Sequence, residues 1–211
     1  MTIHNSIAGL ASNTGFDFHG NTEIFIKSFT GAADADSVVR AAFVAEMSEV
    51  FMDYRNQSTK VPTWIHGNSM GEALSAVCAA LLHPDDYYTA TVNGPSLTKI
   101  NDWLNASPRP NWITKNDPKD TNFVSFGCGI VFIYYLLFER AYPISDVITK
   151  AGPTLELTYE SLTGSTGGWT QFIGLLSRFL PEGTSYHPVS DNLFPHPRIT
   201  VRLPVSMSQV H

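Results

Sequence analysis

Apolar residues recur at helical spacing along most of this chain. In the stretch 36–54, for example, Val39, Phe43 and Val50 share one face of a helical wheel. Asp34 or Asp36 is the predicted N-cap of this first helix. Seven segments are predicted to be helical: 36–54, 70–82, 96–104, 127–140, 144–151, 154–163 and 169–180.

Two segments have the composition of strands instead. Residues 22–29, TEIFIKSF, are rich in β-branched and aromatic side chains, and 198–205 alternates apolar residues with others around Pro204. No repeat or linker is visible, so residues 1–211 are predicted to be a single domain with a helical core at 36–180. The predicted fold class is α+β, predominantly helical, with a small amount of β-sheet.

The segment 123–138 contains no charged residue. It is slightly short for a membrane span and contains Gly127 and Gly129, so it is predicted to be a central buried helix. Cys78 and Cys128 both lie in apolar helical runs, and we expect them to be buried free thiols.

The net charge of the chain argues against some classes of binding partner. The net charge is −6 and no basic cluster occurs, which argues against a nucleic-acid partner, and no membrane partner is expected. The first residues, MTIHNSIAGLASN, have neither a basic start nor a continuous apolar core. A conventional signal peptide is therefore not predicted, and a cytoplasmic or non-classically secreted protein is expected.

Three carboxylates form a stripe on the first predicted helix. Glu46, Glu49 and Asp53 are spaced i, i+3 and i+7, so they fall within a sector of about 60°. Small residues such as Ala41 and Ala45 separate the stripe from the polar face, and the main apolar face borders its other side. Ion pairs or a helix cap would explain such a stripe, and a partly buried cleft is the alternative.

The second predicted helix opens with GNSMGEALS, in which Ser69 and Glu72 have the spacing of a capping box. An E-x-x-E helix followed by a G-E-A-L-S helix resembles the gluzincin, or thermolysin-like, metallopeptidases. There, an H-E-x-x-H helix supplies two zinc ligands and the general base, and the next helix supplies the third ligand. A later segment is also similar, because Cys128-Gly129-Ile130 opens a long apolar helix where the family has a small-residue S-G-I stretch.

This resemblance implies a zincin-like helical core over roughly 36–180. The helices at 36–54, 70–82 and 127–140 are then expected to pack together around three glutamates. By the same resemblance, Glu46 occupies the general-base position and Glu72 the third-ligand position, with Glu49 beside them.

The departures from the family pattern concern its ligands. Ala45 and Glu49 stand where the two ligand histidines belong, Ala76 stands where an Asp supports the first of them, and Ser125 replaces the oxyanion-stabilising His. A zinc site without imidazole or thiolate ligands is uncommon, so no metal and no cofactor is expected. The chain is predicted to be a degenerate, non-catalytic relative, that is, a pseudoenzyme.

Such a relative is expected to bind a peptide or a carbohydrate in or near the cleft. The predicted binding residues are Trp64, His66, Trp112 and Ser125, because aromatic rings offer stacking surfaces and the loop histidine precedes Glu72. Each tryptophan is equally compatible with a place in the core.

The alternative function is a hydrolase. Glu46, Glu49 and Glu72 would then act as the catalytic cluster, with or without a hard divalent cation.

Overall fold

The computed structural model describes residues 1–5, 11–13, 22–26, 35–61, 63–83, 95–119 and 121–185. Helices make up most of these ranges, which confirms the predominantly helical α+β fold class. The helices are α1 (Ala35–Thr59), α2 (Ser69–Leu82), α3 (Pro95–Leu104), α4 (Phe123–Tyr134), α5 (Ile144–Thr149), α6 (Leu155–Thr163) and α7 (Gly168–Phe179), and the strands are β1 (Thr2–Asn5), β2 (Ala11–Asn13) and β3 (Glu23–Ile26). The predicted strand at 198–205 lies outside the described residues.

The first helix is longer than predicted. It continues to Thr59, whose hydroxyl donates to the carbonyl of Arg55 at 2.9 Å, and it ends where Lys60 adopts a φ of 56°. No glycine or proline interrupts it earlier. The prediction of Asp36 as N-cap is wrong because the helix already includes this residue, and Asp34 lies outside the described residues.

Helix α2 lies in the middle of the core, with ten of its 14 residues buried. Ser48 of α1 lies close enough to Cys78 to influence the pKa of its thiol, and a Cβ added to Gly129 of α4 would lie 2.7 Å from the Cβ of Ala73. Because Cys78 and Ala73 are about 140° apart on an ideal helix, α1 and α4 contact different sides of α2. The three helices predicted to pack together therefore do so through α2.

The predicted central buried helix is confirmed as α4. Its residues from Ser125 to Tyr134 are all buried, and the chain continues as a π-helical turn over Tyr135–Glu139. Gly127 permits α3 to pack closely, since an added Cβ would lie 1.9 Å from the carbonyl oxygen of Lys99. Among the described residues, no helix is both long enough and apolar enough to cross a membrane.

A three-stranded sheet packs against α1. Its strand order is β1-β3-β2, with β1 parallel and β2 antiparallel to the central strand. Ile24 and Ile26 of β3 form a small apolar cluster with Ala42 and Val50 of α1. One face of α1 thus covers the sheet while another contacts α2, and the carboxylate stripe lies between these two faces.

Candidate functional site

The carboxylate stripe of α1 is only partly accessible to solvent. Glu49 is 7% exposed, and Glu46 and Asp53 are half-buried. This burial agrees with a stripe bordered by apolar residues rather than with an ordinary solvated helix face. Burial of carboxylates is costly unless hydrogen-bond donors or cations lie nearby, so the partners of these side chains matter.

Asp53 has such a partner in the loop that follows α1. Its Oδ1 lies 2.7 Å from Nδ1 of His66. The side chain of Asp53 is 17% exposed and that of His66 is 41% exposed, so the imidazole covers the carboxylate and itself faces solvent in part. We did not predict this pair from the sequence, although the spacing of Asp53 on the stripe and the position of His66 before Glu72 were both visible.

The loop that carries His66 is fixed by polar contacts to the last turns of α1. The Asn56 side chain accepts from the backbone N–H of Thr63 at 3.2 Å and donates to the carbonyl of Trp64. Arg55 donates to the hydroxyl of Thr63 and to the carbonyl of Thr149. These contacts hold the loop beside Asp53, so the imidazole is positioned before any ligand arrives.

Glu72, in the first turn of α2, also contacts this loop. Its Oε1 accepts a hydrogen bond from the backbone N–H of Gly67 at 3.2 Å, directly after His66 in the chain. The predicted capping box is wrong in its N-cap residue. Asn68 caps α2 by accepting from Met70 and Gly71, while the hydroxyl of Ser69 donates to Asn116 at 2.8 Å.

The N-termini of α2 and α4 share a second polar cluster, which the sequence did not indicate. Asn122 caps α4 by accepting from the N–H of Ser125, and its amide donates to Asp117 at 2.8 Å. The Asn122 hydrogen bond, followed by one from the backbone of Lys119, lowers the pKa of the Asp117 carboxyl. Asp117 in turn donates its backbone N–H to Ser69, so this cluster links the two helix starts.

Ser125 belongs to this cap and not to the Asp53–His66 pair. It is buried in the first turn of α4, and its hydroxyl donates to the carbonyl of Asn122 at 3.1 Å. The role of Ser125 in ligand binding stays a prediction.

The tryptophans are mostly unavailable as stacking surfaces. Trp64 is 1% exposed and its indole N–H donates to the carbonyl of Ile148 at 3.3 Å, so its ring packs in the core, and its binding role stays a prediction. Trp103 is also buried, and its ring lies 6.4 Å from that of the half-buried Trp169. Trp112 is half-buried, with the ammonium group of Lys115 4.1 Å from its ring centre.

The three glutamates do not form one cluster. Helices α1 and α2 form an antiparallel hairpin, and the contact of Ser48 with Cys78 places Glu46 near the level of Ala80. Ala80 is eight positions from Glu72, which is about 12 Å along a helix. In the part of the chain that the structure describes, no three His, Cys, Asp or Glu side chains converge in the manner of a metal site.

No protein-family model, no curated protein and no solved structure matches this chain.

Proposed function

We propose that this protein is a non-catalytic binding protein whose ligand surface centres on the Asp53–His66 pair. The observation that carries the proposal is a half-exposed imidazole held at 2.7 Å by a more buried carboxylate, on a loop fixed to α1. Because the ring is already oriented, a ligand that contacts it loses little affinity to ordering of the side chain.

A peptide fits this surface better than a carbohydrate. Protein sites for sugars commonly use exposed aromatic faces, but Trp64 and Trp103 are in the core. The half-buried Trp112 is also a poor stacking surface for a sugar, because the ammonium group of Lys115 lies over its ring. An oriented imidazole, by contrast, offers the single-point hydrogen bonding that suits the N–H groups of a peptide.

We propose that the protein is not catalytic because it resembles the gluzincins but has other residues at the zinc-ligand positions of that family. Ala45 and Glu49 replace the two histidine ligands, and Glu72 accepts the backbone N–H of Gly67. A zincin-like relationship of the helical core belongs to the same proposal. It is supported by the packing of α2 between α1 and α4.

The alternative, a hydrolase that uses Glu46, Glu49 and Glu72, has weaker support. The helix register separates Glu46 from Glu72, and Glu49 is 7% exposed. Elemental analysis of the purified protein and peptidase assays of Glu46→Gln test it. Stoichiometric metal together with activity that this substitution abolishes would favour the hydrolase.

Binding is tested by presenting wild type, His66→Ala and His83→Ala to a peptide library and a glycan array. His83 lies at the opposite end of α2 and serves as the matched control. We expect peptide binding by wild type and His83→Ala, and affinity weaker by about fivefold or more for His66→Ala, the equivalent of one lost hydrogen bond. Binding to glycans alone would replace the peptide with a sugar, and no binding to either would refute the proposal.

A further inference from the structure

We infer that Asp53 holds the neutral His66 ring in its Nδ1–H tautomer, so that Nε2 accepts a hydrogen bond from an N–H group of the ligand. The inference depends on the proposed function for its ligand. Its first test needs no ligand, so failure of the proposed function and failure of the inference are distinguishable.

The tautomer follows from the contact between the two side chains. An aspartate near neutral pH has only acceptor atoms, so the hydrogen between Oδ1 of Asp53 and Nδ1 of His66 must belong to the ring. A neutral imidazole has one N–H, which this contact occupies. Nε2 therefore carries a lone pair and no hydrogen.

The position of the ring leaves Nε2 available. Asp53 is the hydrogen-bond partner of the His66 side chain within the described residues, and the imidazole is exposed to more than twice the degree of the carboxylate that it covers. The nitrogen opposite the buried contact is thus the ring atom that a ligand can reach.

Because Nε2 of His66 is a hydrogen-bond acceptor, it favours a ligand that carries a hydrogen-bond donor. The Glu72 carboxylate accepts from the backbone N–H of Gly67, the residue that follows His66. A peptide offers N–H groups from two sources, the backbone amide and the ammonium group of its amino terminus. The shared chemistry is an N–H donor directed at Nε2.

The tautomer is measured by long-range proton–nitrogen correlation NMR of ¹⁵N-labelled protein at pH 8, with His66→Ala used to assign the resonances. We expect a protonated Nδ1 and an unprotonated Nε2 in the wild type. Asp53→Ala should shift the ring toward the Nε2–H tautomer, whereas Asp102→Ala, an exposed aspartate on α3, should not. An Nε2–H tautomer in the wild type would overturn the inference.

The donor is tested by titrating the protein with tetra-alanine peptides at millimolar concentration, with a free and with an acetylated amino terminus. A shift of the Nε2 resonance with both peptides identifies a backbone amide, and a shift with the free form alone identifies the ammonium group. Asp53→Ala should bind the effective peptide about fivefold more weakly. If neither peptide shifts the Nε2 resonance, the assignment of an N–H donor is wrong.

Discussion

The carboxylate of Glu156 in α6 accepts a hydrogen bond from the backbone N–H of Gly168, at the start of α7, at 2.8 Å. The N–H groups of Gly167 and Trp169 donate to the same carboxylate at 3.0 and 3.1 Å. Three consecutive backbone N–H groups, from Gly167 to Trp169, therefore surround a negative charge from the protein itself. That charge satisfies the backbone donors of the first turn of α7 and complements the helix dipole.

Loss of this carboxylate should destabilise the fold. We expect Glu156→Ala to lower the free energy of unfolding by about 2 kcal/mol, because three backbone donors lose a charged acceptor. Glu160→Ala in the same helix is the control and should change stability by less than about 0.5 kcal/mol. Urea denaturation of both variants measures the difference, and equal midpoints would contradict the assigned role of Glu156.

Arg109 connects the ends of two helices. The residue is 4% exposed, and its guanidinium donates to the carbonyls of Leu104, Leu180 and Pro181 at 2.8 to 2.9 Å. Burial lowers the pKa of Arg109, while the charge of Glu182 opposes this shift. We expect Arg109→Ala to lower the free energy of unfolding by about 3 kcal/mol or more, since three carbonyl acceptors lose their charged donor.

The matched control for Arg109 is Arg178→Ala, an exposed arginine in the last turn of α7. Its effect should stay within about 0.5 kcal/mol. Thermal or chemical denaturation followed by circular dichroism measures the change in the free energy of unfolding for Arg109→Ala and Arg178→Ala. Similar losses in the two variants would show that the buried contacts of Arg109 add no stability.

Two non-glycine residues end helical segments in the left-handed conformation. Lys60 and Ala141 both have a φ of 56°, and the N–H of Tyr142 donates to the carbonyl of Leu136 in the preceding π-helical turn. We expect Ala141→Gly and Lys60→Gly each to stabilise the protein by about 0.5 to 1 kcal/mol, because glycine adopts this conformation without a Cβ clash.

The reverse change provides the control. Gly164 has a φ of 70° with open space around its Cβ position, so Gly164→Ala should destabilise by about 1 kcal/mol through backbone strain alone. Differential scanning calorimetry of the three variants should show higher melting temperatures for Ala141→Gly and Lys60→Gly and a lower one for Gly164→Ala. A lower melting temperature for Ala141→Gly would contradict the prediction.

Two helical glycines should respond oppositely to alanine. A Cβ at Gly127 would overlap the backbone of Lys99, whereas a Cβ at Gly174 of α7 meets nothing within 4 Å. Gly127→Ala should therefore separate α3 from α4 and reduce stability by about 3 kcal/mol or prevent folding. Gly174→Ala should raise stability by about 0.5 to 1 kcal/mol, because alanine has the higher helix propensity. Soluble expression and thermal melting curves compare Gly127→Ala with Gly174→Ala.

The buried thiol of Cys128 makes stability sensitive to alkaline pH. Burial raises the pKa of Cys128 from 9.0 to about 12. Between these values the unfolded chain loses the thiol proton while the native state keeps it, so the free energy of unfolding should fall as pH rises from 9 towards 12. Below pH 9 the group has no effect on the pH dependence, because both states are protonated.

Cys128→Ala should therefore reduce the loss of stability between pH 9 and pH 11, whatever its effect at neutral pH. Burial of Tyr135, whose pKa is raised to about 12, leaves a residual slope in the variant. Denaturant melts at several pH values measure both slopes. An unchanged slope in Cys128→Ala would mean that the thiol ionises as readily in the native state as in the unfolded one.

Local patterns in the sequence were sufficient for most helices. The segments 70–82, 96–104, 144–151, 154–163 and 169–180 match α2, α3, α5, α6 and α7 within a few residues. Helical periodicity, prolines and caps act over one or two turns, so their free-energy contributions are encoded in neighbouring residues. The buried faces of α1 and α4 were visible for the same reason.

By itself, the sequence determined which segments are helical, which faces are apolar and that a carboxylate stripe borders an apolar face. Tertiary structure decided which polar atoms meet. Asp53 contacts His66, Glu72 accepts from Gly67 and Trp64 enters the core, while Glu46 stays about two helical turns from Glu72. These outcomes depend on the register of the α1–α2 hairpin and the path of its loop, which arise from packing between residues distant in sequence and leave no periodic signal in the chain.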